Sequence, residues 1–304
     1  MKKILSLLVL SVLLVSLFSC GGKEKAEAYL GLGHEVANQD ISAMPMICVF
    51  AAAAIVDGET DAVIAIDVDA YMALAAISGG TVVEGSKQSV DSAAAMGGAD
   101  FDAMISELST DVVGKTASEI EALITAETAE EEAAMLKAIA YAAKTAEAPC
   151  KKADKPGVAL KGTLSTADAD ALAETNGKIS ADVDFAAIAL DANGKTSAAA
   201  LDSFKGLARE FNATDALVAP AAAKTKRELG YDYNMKGASG IGLEWFEQAE
   251  NFCEYLVGKT ATEIGAIGVA NGYPTEDALL SGCTMGISGY IAVSVAAATA
   301  AAAE

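Results

Sequence analysis

Val113-Gly114-Lys115-Thr116-Ala117-Ser118-Glu119-Ile120 and Val257-Gly258-Lys259-Thr260-Ala261-Thr262-Glu263-Ile264 are two versions of one phrase, 144 positions apart. The same offset sets Phe101 against Trp245, Leu108 against Phe252 and Val112 against Leu256. An amphipathic helix carrying acidic residues is therefore expected ahead of each copy. Glycine after a helix followed by threonine reads as a C-cap and then an N-cap, so Thr116 and Thr260 should open a second, shorter helix. Working upstream, Cys48 to Val56 and Ala62 to Ile66 flank Asp57-Gly58, and Val183 to Leu190 and Thr196 to Leu201 flank Asn193-Gly194. Apolar runs joined by such turns predict two hairpins. Working downstream, each half closes with an Ala-rich helix, expected over 130–146 and 287–303. The charges and Pro156 between Lys151 and Gly157 mark a boundary. The resulting expectation is an α+β chain of two duplicated domains, 21–150 and 151–304, each a small antiparallel sheet with packed helices.

The chain has 304 residues, long enough for a sizeable core. Lys and Arg total 21 against 42 Asp and Glu, a net charge of −21 that repels phosphate backbones and argues against nucleic acid as a partner. A single histidine, His34, leaves little for imidazole catalysis or His-rich metal sites. His34 stands beside Gly31 and Gly33 and reads as a solvated or strand-start residue. No nucleophile–base pair is visible, so a hydrolase has too little support.

Lys2 and Lys3, an apolar run from Ile4 to Phe18, and Ser19-Cys20 form an export signal over 1–20. The run is too short for a membrane-spanning helix. Ser19-Cys20, with Leu17 upstream, resembles the lipobox of bacterial lipoproteins. That resemblance implies lipidation at Cys20 and a protein anchored to the cell membrane on its extracytoplasmic face. Of the remaining cysteines, Cys48, Cys150, Cys253 and Cys283, no pair has a metal-ligand spacing. Buried free thiols are the expectation, with disulfides left open by export.

Two Gly-Lys-Thr sequences invite a phosphate-loop reading, yet Ser109 and Cys253 stand where that motif needs its first glycine. Gly237-Ala238-Ser239-Gly240-Ile241-Gly242 has the wrong spacing for a dinucleotide fingerprint and reads as a loop entering the Trp245 helix. Glu130-Glu131-Glu132 suits a helix N-terminus and needs no metal. Trp245 reads as core, with a stacking role as the alternative.

Ser281-Gly282-Cys283-Thr284 precedes the last helix. A glycine-containing loop there can present backbone N–H groups and a hydroxyl to a phosphate. The four residues resemble the Ser-Gly-Ala-Thr signature of the FMN-binding domain family of exported flavoproteins. Lys224 to Gly230 and the Trp245 helix ending at Gly258-Lys259 are similar to the middle of that domain, and the second half resembles uncharacterised lipoproteins of anaerobic Gram-positive bacteria. The resemblance implies an FMN held by Ser281, Gly282, Cys283 and Thr284 and walled by Trp245 or Tyr233, with Thr284 as the residue esterified to its phosphate. Cys283 replaces the motif's alanine and Asp277 lies one place further off than the family's aspartate, so the cofactor is expected either esterified or held noncovalently. The first half lacks the motif and is expected to be a degenerate, flavin-free copy. The implied function is electron relay from a membrane donor to an outer redox partner protein. The alternative is a cofactor-free structural or ligand-capturing surface lipoprotein.

Overall fold

The computed structural model describes residues 25–37, 44–91, 99–218 and 223–303. The export signal expected over 1–20 and the expected lipidation site at Cys20 lie outside those residues. Strands β1 (Ala28–Ala37), β2 (Met46–Asp57) and β3 (Val63–Leu74) are followed by the short β4 (Ile77–Ser78), β5 (Thr81–Val82) and β6 (Gln88–Val90). Helices α1 (Ala99–Val112), α2 (Ala117–Glu121) and α3 (Glu130–Lys144) come next, then β7 (Ala148–Cys150). Strands β8 (Lys155–Ala167), β9 (Gly177–Leu190) and β10 (Thr196–Phe211) lead to α4 (Lys226–Leu229) and a 3-10 turn over Gly230–Tyr233. The chain ends with α5 (Trp245–Leu256), α6 (Ala261–Gly265), the ribbon β11 (Val269–Ala270) and β12 (Tyr273–Pro274), α7 (Asp277–Leu280) and α8 (Ser288–Ala303).

The architecture is mixed α+β with antiparallel sheets. One sheet runs β6-β3-β2-β1-β7 and another β10-β9-β8. Both hairpins expected from sequence are present, β2 with β3 and β9 with β10. Each sheet also has a strand the sequence reading omits, β1 and β8. Gly31, Gly33 and His34 dilute the β-propensity of β1, and β8 starts inside the stretch expected to be a linker, with Pro156 in the strand. The linking turn is shorter, held by the Lys151 N–H on Asp154 Oδ2 at 2.9 Å.

Strand periodicity explains the layering. In β2, Ile47, Val49, Ala51, Ala53 and Ile55 join Val183, Phe185 and Ala187 of β9 in a core between the sheets. The alternate residues Phe50, Ala52, Ala54 and Val56 turn outward under Met135, Leu136 and Ile139 of α3. On the other sheet Ala186, Ile188 and Leu190 turn outward under Trp245 and Phe252 of α5 and Val293 and Ala297 of α8. The order of layers is helix, sheet, sheet, helix. Few aromatics are needed because the helices approach very closely. A Cβ on Gly33 would fall 1.9 Å from Ala138 O in α3, and one on Gly157 2.2 Å from Ala297 O in α8, so glycine in the strand and alanine in the helix let backbones touch.

The repeated phrase has the same local structure twice. The Gly114 N–H donates to Val63 O at 2.9 Å and the Val63 N–H to Lys115 O at 2.9 Å, while the Gly258 N–H donates to Thr196 O at 2.7 Å and the Thr196 N–H to Lys259 O at 2.8 Å. The Thr116 and Thr260 N–H groups each donate to the glutamate three residues on at 2.8 Å, as expected of helix starts. Strand β8 ends its sheet, and its outward N–H groups meet carboxylates of the first half: Val158 on Asp67 Oδ2 at 2.7 Å and Gly162 on Asp91 Oδ1 at 3.1 Å.

His34 corrects the expectation of a solvated residue. It lies in β1 with 9% of its surface exposed, enclosed by the rings of Tyr141, Phe185 and Phe204. Cys48, Cys150, Cys253 and Cys283 are free and buried, as expected. Burial pushes the thiols of the first three up to about 12 and that of Cys283 up to about 11, which leaves them thiols rather than thiolates. Among the described residues no helix is long and apolar enough to cross a membrane.

Candidate functional site

The segment Ser281-Gly282-Cys283-Thr284 joins α7 to α8. It is not an N-cap: α8 begins at Ser288, one residue later than expected, so Thr284 stands in a loop. Side chains of Gln248, Asn251 and Ser281 fix that loop. Gln248, fully buried, offers Oε1 to the Thr284 N–H at 2.8 Å, the Met285 N–H at 3.1 Å and the Thr284 hydroxyl at 3.3 Å. Asn251 donates to Gly282 O at 3.2 Å, and the Ser281 hydroxyl to Ala278 O at 3.3 Å. Gly282 is needed for this approach, since a Cβ there would meet Asn251 Cγ at 2.7 Å. Cys283 points into the core with no exposed surface, whereas Thr284 is half-buried.

Gln248 follows Trp245 by three residues, so the two share one face of α5. Trp245 is 2% exposed and donates from Nε1 to the Tyr290 hydroxyl at 3.0 Å. The same oxygen accepts from Lys226 Nζ at 2.8 Å. The ammonium lies 5.2 Å from the Trp245 ring, 5.5 Å from that of Tyr290 and 5.7 Å from that of Tyr233, within reach of cation–π attraction to all three. Burial lowers the Lys226 pKa, because water no longer stabilises the charge, and Asp184 partly opposes that shift. The Ser203 hydroxyl donates to Asp184 Oδ1 at 2.7 Å. Desolvation raises the Asp184 pKa, against the Ser203 bond. A Cβ on Gly289 would lie 2.5 Å from Asp184 Oδ2, so this carboxyl sits against the first turn of α8. Lys226 and Trp245 meet on the Tyr290 hydroxyl, and Ser203 and Asp184 form a second hydrogen-bonded pair.

The structure thus brings Trp245 and Tyr233 together around Lys226, while Thr284 is tied to Gln248, one turn along α5 from Trp245. Trp245 has its ring beneath an ammonium and its N–H engaged; Tyr233 is half-buried. Lys226, Asp184, Ser203 and Tyr290 escape sequence reasoning because they come from four separate elements. The signal available for Lys226 is the Thr225-Glu228 capping box, with the Glu228 N–H on Thr225 Oγ1 at 3.2 Å and the Thr225 N–H on Glu228 Oε2 at 2.9 Å, which marks a short helix at that point. Among the described residues no group of three or more His, Cys, Asp or Glu is placed to hold a metal ion. No family model, curated protein or solved structure matches the chain.

Proposed function

We propose that the chain is a lipid-anchored, extracytoplasmic flavoprotein whose two halves arose by duplication, and that its second half carries one FMN at Thr284 for electron relay. The observation that carries the reading is the setting of Thr284. Its side chain is half-buried instead of packed in the core, its hydroxyl makes one long bond, and the residues on either side are fastened by Gln248 and Asn251. That arrangement fits a hydroxyl to be esterified to a phosphate while the loop keeps its place. When bound, FMN would supply the one- and two-electron chemistry. The chain's own contribution is to fix Thr284 through Gln248, to offer the half-buried Tyr233 as a wall, and to use Trp245 to hold Tyr290. The matched turns at Gly114 and Gly258 support the duplication. Lipidation at Cys20 supplies the anchor, and a membrane donor and an outer redox protein are the partners.

A second reading, a cofactor-free tethered protein, is favoured by one contact. Gln248 Oε1 already takes the Thr284 and Met285 N–H groups, two donors that a phosphate could otherwise use. The two readings separate on colour and mass. Protein produced with a flavin transferase should be yellow and heavier than the bare chain by one FMN, and Thr284→Ala should remove both signs. Colourless wild-type protein decides for the second reading, and covalent flavin retained by Thr284→Ala removes the site.

A further inference from the structure

Helix α4 is gripped from two sides. Toward the second half it sends Lys226 into the ring cluster; toward the first it sends Glu228 to His34. Residues two apart leave a helix on nearly opposite faces, and the capping box makes this turn a rigid piece, so displacement at Glu228 is carried to Lys226.

His34 Nε2 lies 3.6 Å from Glu228 Oε2, the oxygen that also accepts the Thr225 N–H at 2.9 Å. Around the imidazole the ring centroid of Tyr141 from α3 stands at 4.9 Å, that of Phe204 from β10 at 5.1 Å and that of Phe185 from β9 at 5.5 Å. The titratable groups facing it are Glu228 from α4, Asp202 from β10 and Tyr141 from α3. Strand β2 brings only Ala51, which pairs with His34 in the sheet. Asp202 is buried, accepting the Ser203 N–H at 2.8 Å and the Arg227 N–H at 3.1 Å. The Arg227 guanidinium is engaged outside this box, on Glu250 at 3.0 Å. Two carboxyl groups therefore converge where the imidazole is the group able to gain a balancing charge. A proton on His34 converts its contact with Glu228 into a charge-assisted one.

We propose that His34 is a proton-operated latch between the halves: protonated, it pins Glu228 and α4 to β1, and so sets the position of Lys226 against Trp245 and Tyr290. The latch needs no flavin and stands or falls apart from the proposal at Thr284.

Sequence economy makes the test clean, since the chain has one histidine and one tryptophan. The His34 ring protons can be followed by NMR in the full chain across about pH 5 to 8, the range in which imidazoles ionise, while Trp245 emission is read on the same samples. The expected result is one His34 transition that the Trp245 emission follows with the same midpoint. Glu228→Gln should lower that midpoint, because the neighbouring negative charge is gone. His34→Gln should abolish the emission step, and Glu250→Gln should leave the His34 midpoint where it is. The proposal is overturned by an unchanged midpoint in Glu228→Gln, by emission flat through the His34 transition, by an emission step that survives His34→Gln, or by a His34 signal with no transition in that range.

Discussion

Replacing Gln248 with leucine tests how the Thr284 loop is held. The two side chains are close in size, so packing beneath Trp245 is nearly preserved while every polar contact of the amide is lost. On the acceptor side those are the N–H groups of Met285, which is 4% exposed, and of half-buried Thr284, together with the Thr284 hydroxyl. On the donor side Ser239 Oγ and Leu243 O, each 3.1 Å from Nε2, lose a partner. A buried polar group left unpaired costs about 1–3 kcal/mol. Met285 N–H should bear that cost fully and Thr284 N–H in part, because water can reach it. Gln248→Leu should then destabilise the protein by about 2–4 kcal/mol in urea unfolding. Hydrogen exchange by mass spectrometry should in addition show protection lost over 281–287 before any change in β9. Asn251→Ala, which frees one partly exposed carbonyl, should cost less, about 1 kcal/mol. A Gln248→Leu protein within about 0.5 kcal/mol of wild type, or one less affected than Asn251→Ala, would refute the clamp and with it the fixed placement of Thr284.

Two further outcomes follow from other parts of the molecule. Gly33→Ala and Gly157→Ala each drive a methyl into a helix backbone, so each should destabilise the protein by at least about 1–3 kcal/mol, with the unfolding midpoint as the measure; a neutral result at either would mean that the helix is not seated on its strand. Glu228 supplies a pH test: the His34 imidazole 3.6 Å away pulls its pKa down from 4.5 to about 2, so the stability it contributes is present above 4.5 and is lost as pH falls toward 2. Glu228→Gln should flatten the acid limb of a stability–pH curve in that window, and an identical limb in the variant would show that this carboxylate is not coupled to folding.

Much of the helical half of the fold was legible because its signals are local. Thr116 and Thr260 with glutamate three residues on mark helix starts whatever surrounds them, and the Asp57 and Asn193-Gly194 turns mark the hairpins. Strands β1 and β8 were not legible, because the glycines that let α3 and α8 settle on them are the residues that remove the β signal. A tertiary requirement there overrides a local propensity. In β2, Ala51 to Ala54 carries no alternation, since both faces of the strand are covered, one by the other sheet and one by α3. The site divided in the same way. Ser281 to Thr284 and Trp245 could be singled out from their neighbours in the chain, whereas Lys226, Tyr290 and Asp184 meet only after β9, α4 and α8 have packed. His34 reads as solvated or at a strand start because its partner Glu228 and the rings of Tyr141, Phe185 and Phe204 that enclose it are far along the chain.

The carboxylates over the margin of β8 have a consequence for assembly. A terminal strand with vacant amides is a template on which a foreign segment can extend the ladder, the first step toward fibres. Asp67 and Asp91 satisfy two of those amides with groups that only accept, so nothing can propagate beyond them. The N-terminal half thereby guards that edge, and a fragment beginning at Lys151 should sediment as larger assemblies than the full chain in analytical ultracentrifugation.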